Sequence, residues 1–474
     1  MIDTVITNGT VVTSTEMRIA SVAIDGGRVI MVADHSLMPA ARETINAEGK
    51  YVLPGFVDPH VHFGIAGGPM NEEAGRIKRD FEPESRNAAH GGVTTCLLMF
   101  LDPGTPAEVE ELIQWGNERS YVDFGFVVTV RDTQEIALIE PFVAKGITTF
   151  KFFFNAFKKG PIEANPVYNW HFGCDEATLY QSFETIRRIG PPAIAVVHAE
   201  DNDLFNYFAP AAERTGKNDL VAWELSRPPI CEFTRVELTA QFAESTQCPV
   251  HFYHFSTARS VEILKRYLDR GVDLSAEVVP HTLTVSKHAW EEVGVWGKFV
   301  PPLRGDDEIE ALWQGIRAGI IRHISTDHCP YTREEKEVGG GKFGSIWEAP
   351  PGISNVFGHW LAVLFTEGVR KGRITLQKLV EVCSENNAKR FGLYPKKGAI
   401  AVGSDADIVI IDPKVEHLVD ENFYHGRDST ISIHMGQRLI GKPWLTMLRG
   451  KVIVREWKTA AEPGVGRYIP SLRF

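Results

Sequence analysis

Gly55-Phe56-Val57-Asp58-Pro59-His60-Val61-His62-Phe63 overlaps the end of an apolar run, Tyr51–Val57, and carries two histidines one residue apart. In an extended strand, residues i and i+2 point to the same face. His60 and His62 therefore project together from a strand end, as two ligands of one cation would. Among 16 histidines one such pair is weak by itself, and the rest of the chain has to supply its partners.

The pattern differs on the two sides of this stretch. Residues 1–50 have β character. Ile2–Thr7 and Thr10–Thr13 flank Asn8-Gly9, a two-residue hairpin signal, and Met17–Ile24 and Val29–Val32 flank Asp25-Gly26-Gly27. From Tyr51 onward, short apolar runs alternate with longer helical patterns, which predicts βα units and a parallel barrel. The predicted strands are Val52–Val57, Thr94–Met99, Val122–Val130, Thr149–Phe154, Ile194–His198, Val250–His254, Leu274–Val279 and His323–Thr326. Predicted helices between them include Ala107–Glu118, Glu176–Ile189, Glu232–Glu244 and Ala258–Leu268. Eight strands in this order match a (β/α)8 barrel.

Lys336–Pro351 is glycine-rich, ends in Pro350-Pro351 and predicts a long loop. Helical patterns follow at Val356–Arg370 and Leu376–Phe391. β character returns at Ala406–Ile411 and on either side of Arg449-Gly450, at Trp444–Leu448 and Val452–Trp457. The expected fold is α/β, a (β/α)8 TIM barrel with a small β-sandwich-like domain formed by both termini. Residues 1–54 are the N-terminal part of that β domain, 55–395 the barrel, and 396–474 the C-terminal part and tail.

The totals bound the function. A chain of 474 residues accommodates such a barrel with an accessory domain, and 43% hydrophobic residues supply its core. A net charge of −11 argues against nucleic acid as a partner. Six scattered cysteines without a Cys-x-x-Cys pair fit a reducing compartment. The short, interrupted apolar stretches give no membrane span, and the start of the chain carries Asp3 instead of a basic segment, so a cytoplasmic location is expected.

Barrel enzymes carry their sites at the C-terminal strand ends, and there the sequence is informative. The first strand runs into His60 and His62. The fourth carries Lys151 inside an aromatic run, the fifth ends at His198, the sixth at His254 and the eighth at Asp327. Each has a bland reading: a snorkelling lysine, a core histidine, or a helix-capping aspartate. His251 competes with His254, which is preferred because it lies at the strand's C-terminal end. A lysine buried among aromatics has a lowered pKa and becomes nucleophilic, so carbon dioxide can convert it to a carbamate ligand. His281 and His328 are candidates for supporting contacts.

These stretches resemble the amidohydrolase superfamily, and within it the cyclic-amide branch of hydantoinases, dihydropyrimidinases, allantoinases and dihydroorotases. The likeness runs nearly end to end. It rests on Gly55–Phe63, Gly91-Gly92-Val93-Thr94-Thr95, the segment around Lys151, His198-Ala199-Glu200, His254–Ser256, Val300-Pro301-Pro302-Leu303-Arg304, Ser325-Thr326-Asp327-His328-Cys329 and Lys397–Pro413. The resemblance implies two divalent cations, usually Zn2+, with Mn2+ as the alternative. His60, His62 and Asp327 would hold one and His198 and His254 the other, with N6-carboxylated Lys151 and a hydroxide bridging them. Asp327 would shuttle the proton while a cyclic amide, imide or ureide ring opens. It also implies a homotetramer or homodimer. The alternatives are an allantoinase-like ureide hydrolase and a non-catalytic scaffold relative, the second disfavoured because all six ligand positions are filled. A deaminase or a mononuclear centre is disfavoured by Lys151.

The resemblance also narrows the substrate. Dihydroorotases carry an arginine shortly after His-x-His for the substrate carboxylate, whereas here Gly64 follows Phe63 and Gly64–Pro69 contains no arginine. Gly67-Gly68-Pro69 is closer to the hydantoinase loop. Hydantoinases carry a tyrosine after the lysine, where this chain has Phe157, with Asn155 as a substitute donor. The segment Glu277-Val278-Val279-Pro280-His281 is closer to allantoinases and dihydroorotases. Backbone groups near Val279 and Val300 and within Pro351–Asn355 are expected to contact the substrate. Phe63, Phe152, Phe154, Phe157 and Phe299 are expected to make the pocket aromatic, which suits a bulky or aromatic cyclic amide.

Overall fold

The computed structural model describes residues 1–65, 72–100, 105–154 and 173–471. Eight parallel strands make one sheet: β1 (Phe56–Val61), β2 (Val93–Phe100), β3 (Asp123–Thr129), β4 (Thr149–Phe153), β5 (Ile194–His198), β6 (Val250–Phe252), β7 (Leu274–Val278) and β8 (His323–Ile324). Each pairs with the next in chain order. Residues of β2 and β3 are buried at every position, as in strands covered on both faces. Helices Glu73–His90, Pro106–Arg119, Glu176–Ile189, Ile230–Thr246, Ala258–Asp269 and Asp306–Arg317 lie between the strands. The sequence had not singled out the first or the last of these; the first contains Pro83, which interrupts a helical pattern.

The seam that closes the barrel is short. Strand β8 has two residues, and contact with β1 is made beyond it, through a parallel bridge between Val61 and His328. His62 N–H donates to the His328 carbonyl at 2.8 Å and Asp327 N–H to the His60 carbonyl at 3.0 Å. Asp58 reinforces the seam from β1: it accepts from Thr326 N–H at 3.2 Å and from Thr326 Oγ1 at 2.6 Å.

The floor is apolar. Val57, Leu97, Val127, Ile194 and Val196 pack with Phe391 and, from the C-terminal tail, Ile469. The tail is held by Ile469 N–H donating to the Phe124 carbonyl at 2.7 Å.

The predicted first strand, Val52–Val57, spans two sheets. Tyr51–Pro54 pairs within the terminal sheet, and Phe56 begins the barrel. Gly55 marks the change, and a Cβ there would lie 2.1 Å from Thr94 Oγ1. With Tyr51–Pro54, the terminal strands led by Ile2–Val12 and Ile408–Ile411 make a separate nine-stranded sheet.

Asn8-Gly9 is a bulge and not a hairpin. Ile2–Val12 is one strand whose register against Met17–Asp25 shifts between Ile6 and Gly9. Asn8 sits at φ 59°, the left-handed conformation that a tight turn and a bulge both use. Gly26-Gly27 and Arg449-Gly450 do form two-residue turns, with positive φ at all four residues.

Barrel and terminal domain are clasped by a buried cluster. Lys397 Nζ lies 2.5 Å from Asp123 of β3, 2.6 Å from Asp407 and 3.0 Å from Asp405. Arg449 also pairs with Asp123. Although three carboxylates converge here, the lysine occupies their centre.

Candidate functional site

The C-terminal ends of β1, β4, β5 and β6 and the turn after β8 converge. His60 and His62 point the same way, as their spacing predicts, with Nε2 atoms 3.2 Å apart. Asp327 Oδ1 is 3.1 Å from His60 Nε2 and 3.0 Å from His62 Nε2. His198 Nδ1 faces His254 Nε2 at 2.9 Å, and the His254 ring centroid is 5.4 Å from that of His60. His254, Asp327 and His60 each offer a ligand atom within 4.8 Å of the others. His251 instead turns to Ser275 Oγ at 2.8 Å and Glu277 Oε2 at 3.2 Å.

Two of these side chains depend on unusual backbone. His254 has φ 39° and Asp327 φ 52°, conformations that cost about 1–3 kcal/mol each and persist where surrounding structure enforces them. Around His254 that structure includes buried Glu232. It accepts from Ser256 N–H at 3.1 Å, Thr257 Oγ1 at 2.8 Å and Ser260 Oγ at 2.6 Å, fixing the loop that leaves the histidine.

The electrostatics favour neutral, cation-ready ligands. Burial, and then the nearby Lys151 charge, hold His60 and His198 well below the usual imidazole range; for His254 burial acts first, then His198 and Lys151. Lys151 is itself fully buried, and desolvation lowers it to about 7 despite the opposing charges of Asp327 and Glu277. A substantial fraction of free amine is then present at neutral pH. Cys329 also lies beside His62 and Asp327, but burial and the Asp327 charge keep its thiol well above the usual range, so it is a poor thiolate donor.

Supporting carboxylates escaped the sequence reading. Glu277 Oε1 lies 2.6 Å from His60 Nδ1, and Glu200 Oε2 lies 3.0 Å from His198 Nε2 and 3.1 Å from Arg227. Each binds the nitrogen turned away from the cluster, which leaves the other nitrogen's lone pair facing inward. Asp58 accepts the His60 N–H at 3.2 Å. The available signal was a carboxylate inside an otherwise apolar strand, as in Leu274-Ser-Ala-Glu277-Val278.

His328 accepts the His62 N–H at its backbone carbonyl and pairs its ring with Glu84 at 2.7 Å. His281 stacks on Phe299 with centroids 3.8 Å apart. Val279 is buried, with its N–H and carbonyl both bonded to Thr282. Val300 is half-buried. The Asn355 side chain is committed to the carbonyls of Asp428 and Ile431, both at 2.7 Å. Asn155, Phe157 and Gly67-Gly68-Pro69 lie outside the described residues.

Strand alternation reassigns the aromatic lining. Phe152 packs edge-on against Phe183 and Phe63 against Phe81, both in the core beneath the helices. Phe154 is buried under Arg235. Phe153, two residues from Lys151, shares its face: Lys151 Nζ is 4.6 Å from that ring, and His198 lies 5.4 Å from it. Among the described residues Tyr253 is a second ring beside Lys151, at 4.0 Å.

A (β/α)8 barrel whose mouth gathers neutral histidines, an aspartate and a buried lysine defines a hydrolase barrel of the amidohydrolase type. Residues 234–452 match the amidohydrolase family model. D-hydantoinase of Geobacillus stearothermophilus is 32% identical over 99% of this chain and 96% of its own length. An allantoinase of Rubrobacter xylanophilus is 30% identical over 98% and 97%. A crystal structure of D-hydantoinase superposes with a TM-score of 0.87 at 30% identity, covering 99% of both chains. The chain belongs to the amidohydrolase family, in its cyclic-amidohydrolase branch, and is a hydrolase of carbon–nitrogen bonds. The family is metal-dependent, and this chain has residue groups able to hold a cation.

Proposed function

We propose that the chain opens a cyclic amide, imide or ureide ring by hydrolysis at two divalent cations, with zinc the first choice and manganese the alternative. The reading is carried by the meeting of His60 Nε2, His62 Nε2 and Asp327 Oδ1 within 3.2 Å of one another. Two ring nitrogens facing each other and a carboxylate in a buried place are a donor set that a cation satisfies. His60, His62 and Asp327 would hold one ion and His198 and His254 the other. Lys151, once its free amine had added to carbon dioxide and lost a proton, would supply a carbamate as a further anionic oxygen ligand. Bound there, the ions would supply Lewis acidity, lowering the pKa of the attacking water and polarising the amide carbonyl.

Asp327 takes the proton of that water and delivers it to the leaving ring nitrogen. Burial of the site keeps bulk water from competing for these contacts. Gly64 argues against a carboxylate substrate: it sits at φ 74°, and a Cβ there would lie 2.7 Å from Ile77 Cγ1, so no arginine side chain fits that position. A homotetramer, or a homodimer, located in the cytoplasm completes the reading.

The test is metal analysis of purified protein together with a panel of dihydrouracil, substituted hydantoins, allantoin, cyclic imides and lactams. Asp327→Asn should lower turnover by about 10²–10⁴-fold on every substrate that wild type opens. Equal turnover by the mutant would exclude the aspartate as shuttle. Preference for allantoin over hydantoins would select the ureide alternative.

A further inference from the structure

Tyr253 stands between two residues of the proposed centre. Its ring stacks on the His60 imidazole, with centroids 3.7 Å apart and planes 17° apart. Lys151 Nζ lies 4.0 Å from the same ring's centroid. The hydroxyl donates to the Pro59 carbonyl at 3.1 Å, in the peptide that leads into His60. The side chain is buried.

The backbone explains how the ring comes to be there. Alternation along β6 turns His251 and then Tyr253 toward the barrel axis. The next residue would face outward, but φ 39° at His254 turns it back. Two consecutive side chains therefore reach the centre, one as a candidate ligand and one as a wall.

The wall restrains what other contacts leave free. Asp58 holds the His60 N–H, and Glu277 holds Nδ1, yet an imidazole held by one in-plane bond can still tilt. A parallel ring at stacking distance removes that tilt. Lys151 has a four-carbon stem with about 2 kcal/mol of rotamer entropy, and a flat apolar face narrows its path.

We propose that Tyr253 is a positioning residue for the reaction, with one ring setting both the plane of His60 and the path of Lys151, and a hydroxyl that ties the His60 backbone to the sixth strand. The inference rests on the two-cation reading above. It predicts that the flat face matters more than the hydroxyl.

The test uses zinc-loaded protein and a competing chelator. Tyr253→Met, which keeps bulk but not the flat face, should bind zinc about 10–100-fold more weakly. Tyr253→Phe should stay within about threefold of wild type, rescuing the effect. Phe252→Leu, a ring loss on the helix-facing side of the same strand, should also stay within about threefold. At saturating zinc, kcat should fall in Tyr253→Met with little change in KM. Tyr253→Leu repeats the measurement if the methionine variant does not fold. Wild-type zinc affinity in Tyr253→Met, or an equal loss in Phe252→Leu, would overturn the proposal. A wild-type protein that takes up neither zinc nor manganese would instead overturn the two-cation reading beneath it.

Discussion

Replacing Glu277 with glutamine tests the charge behind His60 while leaving shape nearly unchanged. Glu277 Oε1 is 2.6 Å from His60 Nδ1, Oε2 is 3.2 Å from His251 Nε2, and His251 Nδ1 is 2.8 Å from Ser275 Oγ. In Glu277→Gln the amide oxygen still accepts from His60 Nδ1–H. The amide NH2 then faces His251 Nε2, and His251 meets it by moving its own proton to Nδ1, where Ser275 Oγ accepts. No buried polar group is orphaned, so the quantity lost is the negative charge that makes His60 a stronger donor. Losses of this kind cost about 10–100-fold in metal affinity, or about 1.4–2.7 kcal/mol. Chelator competition on zinc-loaded protein measures this. The metal-free variant should be at least as stable as wild type, because burial, and then the Asp58 and Asp327 charges, hold the Glu277 carboxyl well above its usual range. Zinc affinity within twofold of wild type would refute the reasoning. So would a loss of several kcal/mol in the metal-free protein, since the carboxylate would then be a structural group.

Two further predictions concern the frame around the site. Lys397→Met leaves Asp123, Asp405 and Asp407 buried with Arg449, paired to Asp123, as the remaining cation of the cluster among the described residues and should cost about 3–5 kcal/mol in denaturant unfolding. Burial by itself would lower Lys397, but Asp407, Asp123 and Asp405 outweigh it and raise the ammonium above its ordinary 10.5. The clasp's contribution is therefore complete below pH 10.5 and lost as pH climbs through the higher folded-state value; a wild-type stability curve flat across that range would contradict it. Ile469→Ala removes the tail's plug from the barrel floor and should cost about 2–5 kcal/mol, with turnover per folded molecule unchanged.

How much of this was legible follows from burial. Strands covered on both faces must be apolar, so a histidine, lysine or aspartate at their ends stands out, and His60, His62, Lys151, His198, His254 and Asp327 could be named from spacing. The same apolar continuity hid the break at Gly55, because Tyr51–Pro54 and Phe56–Val61 are buried in two different sheets. Asn8-Gly9 misled because left-handed dihedrals serve a bulge as well as a hairpin. Phe152 and Phe153 are chemically identical neighbours that alternation sends to opposite faces, so their roles depended on fixing the phase at Lys151. Tyr253 was missed for a different reason. Its position one residue before His254 implies the outward face, and only the positive φ at His254 admits both.

The site and the closure of the barrel are one structure. Strand β8 contributes two residues, too few to seal a sheet, and the seam is completed by backbone groups of His60, His62, Asp327 and His328. His60, His62 and Asp327 also direct their side chains at the candidate centre, while the His328 ring turns to Glu84. A cation gripped by His60, His62 and Asp327 would therefore bind across the seam, adding a bond between the first and last strands where the hydrogen-bond ladder is thinnest. By linkage, whatever stabilises the closed seam strengthens the grip on the cation, and the cation returns the same free energy to the barrel. This accounts for why Asp58, which meets the His60 backbone N–H, accepts bonds from both sides of the seam. Its carboxylate holds ligand and barrel in register together.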